Sequence, residues 1–381
     1  MENLREDPAI PARRKKGTEK RGYGFSMEQT VNFSPWIFIG LVLLLLFANR
    51  EMNAQEEKNY MIATWPGFRD CAVNYTFDDA CPGQFSKALP LFDEYQFKLT
   101  LFVVSDWVKD WTEINTAAAG GHEVACHTAS HPKLSALPFG EQKREMETSR
   151  DQINAMIPAS RCVTMATPFC AGCDEQLAST YFMAVRGCQG YIEEQTPRNF
   201  MNVSSVICGD LGAVNSVGAF REKVLQAADK KGWLVYLLHG IDNDGGYSPL
   251  SSDTLRASLA FLKQNQDKYW VSTFADASRY IRERDCASLE EMTRNRSCIS
   301  LMLKDTLANE EWYNYPLTIR YRLPAGWKKA SIYCGSARLE SKIVEEKGLR
   351  YIQFDAVPDR EPLYLYRNEK RQRQACLEIT G

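Results

Sequence analysis

His127 and His131 stand four residues apart in "ACHTASHPK", residues 125–133, of a chain that holds only four histidines. Asp78 and Asp79 are adjacent at the end of "CAVNYTFDDA", and His239 closes "WLVYLLHG". Two neutral imidazoles and one carboxylate make a three-ligand metal site that leaves positions open for water, the arrangement catalytic zinc uses. Asp79, His127 and His131 supply that set, with zinc the first choice and other divalent metals left open. Adjacent aspartates point different ways, so Asp78 is left to take a proton from a metal-bound water, whose pKa zinc brings to about 7. His239 is then available to protonate a leaving group, which completes a hydrolase. Each part also has an ordinary reading. Paired aspartates after a strand often form a turn and a helix cap, and a helical turn brings residues i and i+4 together.

The elements decide between these readings. From about Cys71 the chain alternates short β-branched and aromatic runs ("CAVNYTF", "KLTLFVV", "HEVACH", "CVTMATPF", "YFMAVRG", "VSSVIC", "WLVYLLHG", "YWVSTF") with helical patterns. The helical patterns include "GEQKREMETSRDQINAM", "GAFREKVLQAADKKG" and "SSDTLRASLAFLKQNQ", punctuated by Pro158 and Gly232. Strands alternating with helices imply a parallel sheet, and seven or eight of them suggest a (β/α) barrel, complete or not. The working residues of such a barrel sit at the C-terminal ends of its strands. Asp78 and Asp79, the histidine pair and His239 all fall there, on three different strands, with His131 expected one helical turn beyond His127. His122, at the start of its strand, reads as structural.

After about Cys286 the texture changes. "YPLTIRYRLPAGW" alternates apolar and polar residues, and "KASIYCG", "RLESKIVEEKG", "LRYIQFDAV" and "EPLYLYR" continue as strands and turns. Residues 286–381 are therefore expected to form a small all-β, sandwich-like accessory domain with a charged tail. Its Trp312, Tyr313 and Trp327 read as core aromatics, with sugar stacking as the alternative.

At the other end, "WIFIGLVLLLLFA" (36–48) is apolar but too short for the roughly 20 residues of a bilayer span. Residues 1–54 read as a leader, either a signal peptide cleaved after Ala54 or an uncleaved anchor, with Met27 an alternative start to Met1. The body, from Gln55 to about residue 285 and beyond, is then exported to a periplasmic or extracellular location. Twelve cysteines fit such a setting, although their pairing cannot be read from sequence and the Cys170–Cys173 spacing has no second C-x-x-C to make a zinc ribbon. A net charge of -2 and 25% charged residues give no sign of a nucleic-acid partner.

With these residues in this order the chain resembles the polysaccharide deacetylases (NodB homology domain, carbohydrate esterase family 4). Thr76-Phe77-Asp78-Asp79 matches that family's first motif, His127-Thr128-Ala129-Ser130-His131 its second, and Leu237-Leu238-His239 its fifth. The likeness covers roughly Tyr75 to Arg284. It implies a distorted (β/α)7 barrel and metal-dependent removal of acetyl groups from an acetylated glycan, N-acetyl ahead of O-acetyl. The roles it implies agree with those above: Asp78 base, Asp79, His127 and His131 ligands, His239 acid.

The third motif departs from the family. Ala166-Thr167-Pro168-Phe169-Cys170 stands where R-x-P-[FY]-G is usual, so the arginine that pairs with the base is missing and Cys replaces Gly. Pro168 and Phe169 remain, and the resemblance assigns the Phe169 N–H to an oxyanion hole. Arg186, another strand-end residue, is a candidate replacement partner for Asp78, against a surface ion pair. The fourth-motif Asp that orients the acid has no clear match; Asp210 is a weak candidate. Tyr247, in the loop after His239, is a candidate sugar contact. The competing readings are a catalytically weakened glycan-binding protein, which the missing arginine favours, a non-haem iron enzyme, and a chain whose β domain does the work.

Overall fold

The computed structural model describes residues 58–309 and 311–367. The expectations for the leader and for the charged tail beyond residue 367 lie outside the described residues.

Chain order starts with β1 (Tyr60–Ile62), then β2 (Cys71–Asp78), β3 (Thr100–Val103), β4 (Glu123–Cys126), β5 (Thr164–Ala166), β6 (Ala184–Arg186), β7 (Val206–Ile207), β8 (Trp233–Leu238) and β9 (Tyr269–Ser272). Strands β2 to β8 form one parallel sheet in the order β6-β5-β4-β3-β2-β8-β7, with β9 beside the first half of β2. The sheet curls until its ends approach. Val203, just before β7, bridges Arg186 of β6, and its N–H donates to the Val185 carbonyl at 2.8 Å. This is the distorted (β/α)7 barrel expected from the sequence. Strand β2 is buried along all eight residues, which is why it reads as a near-continuous apolar run rather than an alternating one.

Among the described residues the α-helices are, in order, α1 (Leu89–Glu94), α2 (Thr112–Ala119), α3 (Phe139–Met156), α4 (Glu175–Ser179), α5 (Val217–Lys230), α6 (Ser252–Gln264) and α7 (Phe274–Cys286). Their starts follow from local chemistry. The side chains of Asp174, Ser216, Ser251 and Thr273 each accept a hydrogen bond from an otherwise orphaned N–H in the first turn. Helix α5 ends with Lys231 in the left-handed region, and Gly232 follows because a Cβ there would lie 2.5 Å from the Glu193 carbonyl.

The described residues after α7 hold antiparallel strands: β10 (Ser288–Arg294), β11 (Cys298–Lys304), β12 (Leu317–Arg322), β13 (Ser331–Cys334), β14 (Ala337–Arg338), β15 (Ser341–Glu346), β16 (Leu349–Ala356) and β17 (Leu363–Tyr366). One sheet runs β1-β12-β16-β15 and the other β10-β11-β17-β13-β14. Strand β1 reaches this region from the far end of the sequence, pairing Ile62 with Ile319. A single apolar cluster runs from Phe102, Trp233 and Phe274 at the barrel to Ile299, Ile319 and Leu365 in the two sheets. Trp327 is buried in that cluster, and Trp312 and Tyr313 pack against it, which favours the core reading of all three.

What matters for chemistry is the rim. Asp78 ends β2, His127 follows β4, Ala166 ends β5, Arg186 ends β6 and His239 follows β8. All lie at C-terminal strand ends, where side chains from different strands can converge.

Candidate active site

Asp79, His127 and His131 converge so that one ligand atom from each lies within 4.8 Å of the others. Asp79 Oδ1 is 3.6 Å from His127 Nε2 and 3.5 Å from His131 Nε2. The same oxygen is buried without a hydrogen-bond partner, a costly state unless something else satisfies it. His127 Nδ1 lies 2.9 Å from the Ala166 carbonyl, which fixes the proton on that nitrogen and turns the Nε2 lone pair toward the cluster. Burial pushes the His127 imidazolium down to about 4 and lowers His131 as well, so both rings are neutral near pH 7. Neutral imidazoles beside an unsatisfied carboxylate oxygen fit a divalent metal.

The loop that carries the histidines is not helical. Thr128 and His131 have φ of 66° and 65°, in the left-handed region, and the two rings meet edge to face at 4.9 Å. The expected helical turn is therefore a strained loop, with the Thr128 hydroxyl accepting from the His131 N–H at 3.0 Å to hold it. Asp79, Ala80, Phe169 and Cys170 also have positive φ. Each such non-glycine residue costs on the order of 1 kcal/mol, and six of them surround one centre.

Asp78 is buried beside this cluster, and Arg186 donates to its Oδ2 from Nη2. Arg186 is 1% exposed, so the pair is a buried one and not the surface ion pair that sequence alone left open. Burial pushes the Asp78 carboxyl up, but Arg186, helped by His127 and His239, outweighs it and holds the group below the usual carboxylate range. Asp79 goes the other way, raised to about 6 by burial and by the neighbouring Asp78 charge. His239 Nε2 is 3.8 Å from Asp78 Oδ2.

The strand register explains how Arg186 reaches Asp78. Ala166 and Arg186 are paired across β5 and β6, and paired residues on neighbouring strands place their side chains on the same face. The guanidinium thus comes from the strand next to the position where the resemblance expects it. A disulfide joins the same two strand ends, Cys170 to Cys188, and leaves Cys173 a free thiol.

The cavity, of about 370 Å³, is lined by these groups together with Thr167, Ile207, Leu237 and Tyr247. Phe169 is exposed with its ring 4.6 Å from His131, and Pro168 is buried beneath it. The Tyr247 ring stands edge-on to His239 at 5.1 Å. His122 is a satisfied structural residue: its Nδ1 accepts from the Leu99 N–H, and Nε2 lies 3.1 Å from Asp93. Asp210 is exposed, and His239 Nδ1 is buried with no hydrogen-bond partner, so no carboxylate among the described residues orients this imidazole.

Three residues escaped the sequence reading. Gln84, fully buried, donates from Nε2 to the carbonyls of Asp78 (2.6 Å) and His239 (3.0 Å) and so ties the ends of β2 and β8 together. Cys188 carries no signal until its partner is known. Trp107 is half exposed with its ring 5.0 Å from His131; an aromatic residue shortly after a strand end was the only hint.

Residues 68–181 match the family model described as polysaccharide deacetylase. The likeness to that family read from the motifs is borne out over this stretch. The chain is 28% identical over 327 residues to a gellan lyase of Bacillus sp., which covers 80% of this chain and 13% of the lyase. It is 30% identical over 111 residues to a chitooligosaccharide deacetylase of Sinorhizobium fredii, covering 29% of this chain and 52% of that protein. The chain thus spans only a small part of the lyase and about half of the deacetylase. Among solved structures it is similar to the Xyl-CE4 domain of a multidomain xylanase from the hindgut metagenome of Trinervitermes trinervoides. That likeness has 18% identity and a TM-score of 0.40, covering 54% of this chain and 89% of that one.

Proposed function

With residues 68–181 matching the polysaccharide deacetylases, we propose that the chain hydrolyses acetyl groups from an acetylated glycan, N-acetyl in preference to O-acetyl, as an exported protein. The observation that supports this most is the constellation itself: a three-ligand cluster, a buried ionised carboxylate and an imidazole meet in one cavity.

Asp79, His127 and His131 would hold a divalent metal, zinc being the first choice, and when bound it would supply a Lewis acid that polarises the acetyl carbonyl and acidifies water. Asp78 acts as the base. Arg186 keeps it ionised, so at neutral pH it accepts a proton from the attacking water. The Phe169 N–H, offered on a left-handed turn, donates to the carbonyl oxygen as negative charge develops there. His239, with Nε2 3.8 Å from Asp78 Oδ2, delivers a proton to the departing nitrogen or oxygen. Ile207 and Leu237 give the cavity an apolar wall against which the acetyl methyl rests.

The weakened, glycan-binding alternative rested on the missing third-motif arginine. With Arg186 on Asp78, the base keeps a cationic partner, and that reading loses its main support. The test is acetate release by a chain starting at Gln55 on N-acetylated and O-acetylated glycans, with added zinc and with chelator. Chelator-sensitive release carries the proposal. Metal binding without acetate release from any glycan overturns it.

A further inference from the structure

The parallel pairing of β2 with β8 runs from Ala72 and Trp233 to Phe77 and Leu238. It stops one residue short of Asp78 and His239, which the register makes the next pair and which therefore point to the same face. Asp78 is still paired with Phe102 of β3, but the pairing of β8 with β7 ends at Leu237. His239 thus stands beyond the ladders on both sides of its strand. Its imidazole gains no fixed orientation from Nδ1, which has no hydrogen-bond partner. The place of this side chain must come from its backbone.

Two side chains hold that backbone. Gln84 Nε2 donates to the Asp78 and His239 carbonyls, at 2.6 and 3.0 Å, and so adds one rung where the ladder has stopped. Asp244, in the loop after His239, accepts from the Gly83 N–H at 2.8 Å through Oδ2 and from the Gly246 N–H at 2.9 Å through Oδ1. The turn that follows the base is thereby clasped to the loop that follows the acid, at two adjacent residues. The approach is close: a Cβ on Gly83 would lie 2.8 Å from the Ile241 carbonyl oxygen, so the turn fits against the loop only with glycine there. Proton delivery needs heavy atoms within about 2.6–3.2 Å of each other, and a misplacement of about 1 Å costs on the order of a hundredfold in rate.

We propose that Gln84 and Asp244 are positioning residues for the acid, which fix the backbone of His239 against that of Asp78 and so set proton delivery to the leaving group. The inference rests on the deacetylase reading and adds what stands in for the missing orienting carboxylate. The effect is selective. The three ligand side chains lie on β2 and the loop after β4, and Asp78 keeps Arg186 and its β3 pairing, so loosening the clasp spares metal binding and attack by water. The step that suffers is the one that needs His239.

The experiment compares the full chain with Gln84→Met, Asp244→Ala and Asp244→Asn on an N-acetylated sugar oligomer and on an activated aryl acetate, with zinc content measured and the His239 imidazole followed by NMR. Gln84→Met and Asp244→Ala should lose about tenfold or more of kcat on the amide relative to the aryl acetate, with KM within about twofold and zinc retained. Asp244→Asn keeps the shape and one acceptor and should fall between the parent and Asp244→Ala. It changes a part-exposed loop residue, so it reports on the clasp even where Gln84→Met fails to fold. The His239 signals, assigned with His239→Ala, should shift or broaden in these variants, while those of His122, at the N-terminal end of β4, stay in place. Equal losses on both substrates, loss of zinc, or unmoved His239 signals each overturn the inference. A parent that releases no acetate while the His239 signals move in the variants removes the deacetylase reading and leaves the clasp; acetate release at the parent's substrate ratio in the variants does the reverse.

Discussion

Arg186 reaches Asp78 from 108 residues further along the chain, and it does so as the register partner of Ala166. The position that carries arginine in the resembling family here holds a buried methyl group, and the guanidinium stands one strand over on the same face. The cation beside Asp78 therefore comes from β6, one strand over from where the resemblance places it. Ala166 still contributes through its backbone, because its carbonyl holds His127 Nδ1.

Removing the cation leaves Asp78 buried and unpaired. Arg186→Met should destabilise the fold by about 3–5 kcal/mol, the usual cost of breaking one side of a buried pair. Asp78→Asn together with Arg186→Met should recover most of that loss in urea melts. If the single and double variants melt alike, the pair is not what holds Arg186 in place. Moving the cation back is the functional complement. Ala166→Arg with Arg186→Ala should turn over faster than Arg186→Ala alone, and equal or slower turnover counts against an interchangeable base partner.

The Cys170–Cys188 disulfide ties the Phe169 turn to the strand end that carries Arg186, across a separation of 18 residues. A loop of about this size contributes about 3 kcal/mol by restricting the unfolded chain. Cys170→Ser with Cys188→Ser should lower the melting temperature by several degrees and lower kcat, with zinc affinity unchanged because no ligand lies on either loop. A reductant that does not chelate zinc should likewise lower the kcat of the parent. A kcat untouched by both treatments would show that the turn keeps its geometry unaided.

Metal retention should divide the two aspartates. His127→Ala, His131→Ala and Asp79→Ala should each drop the zinc content of dialysed protein from about one ion per chain toward none. Asp78→Asn should keep its zinc and lose turnover. Full zinc content in any of the first three variants removes that residue from the ligand set.

An acid acting on the leaving group matters most when that group leaves badly. His239→Ala should therefore cut amide hydrolysis far more than hydrolysis of an activated aryl acetate, by roughly tenfold or more in ratio. Equal losses on both substrates would assign His239 to binding instead.

The rim residues were legible because strand-end placement is a sequence-level property: Asp78 ends, and Asp79, His127 and His239 follow, apolar runs that read as buried strands. Arg186 was half legible, since "YFMAVRG" puts it at a strand end but the register that aims it at Asp78 depends on which strands are neighbours. The left-handed loop at Thr128 and His131 was not legible, because i,i+4 spacing reads as helix whatever fixes it. Strand β1 pairs with a segment more than 250 residues away, which no local pattern reports. Helix α7 hid for a different reason: its buried face includes Ala275, Ser278 and Glu283 among the apolar residues, so the amphipathic signal is diluted.

Glu283 gives that helix a pH dependence away from the site. It is fully buried, its Oε1 accepts from the N–H groups of Asn314 and Tyr315, and Oε2 has no hydrogen-bond partner. Burial, reinforced by the nearby Asp305 carboxylate, raises its carboxyl to about 7 from an ordinary value of 4.5. Between those pH values the unfolded chain gives up this proton while the folded chain keeps it. Stability from this group is therefore full below about pH 4.5, falls as pH rises, and levels off above about 7. Glu283→Gln keeps an acceptor for both N–H groups and does not titrate. It should match the parent in urea melts near pH 5 and exceed it near pH 8 by on the order of 1–3 kcal/mol. A parent-to-variant difference that stays constant across this range would show that Glu283 is ionised in the folded protein at both ends.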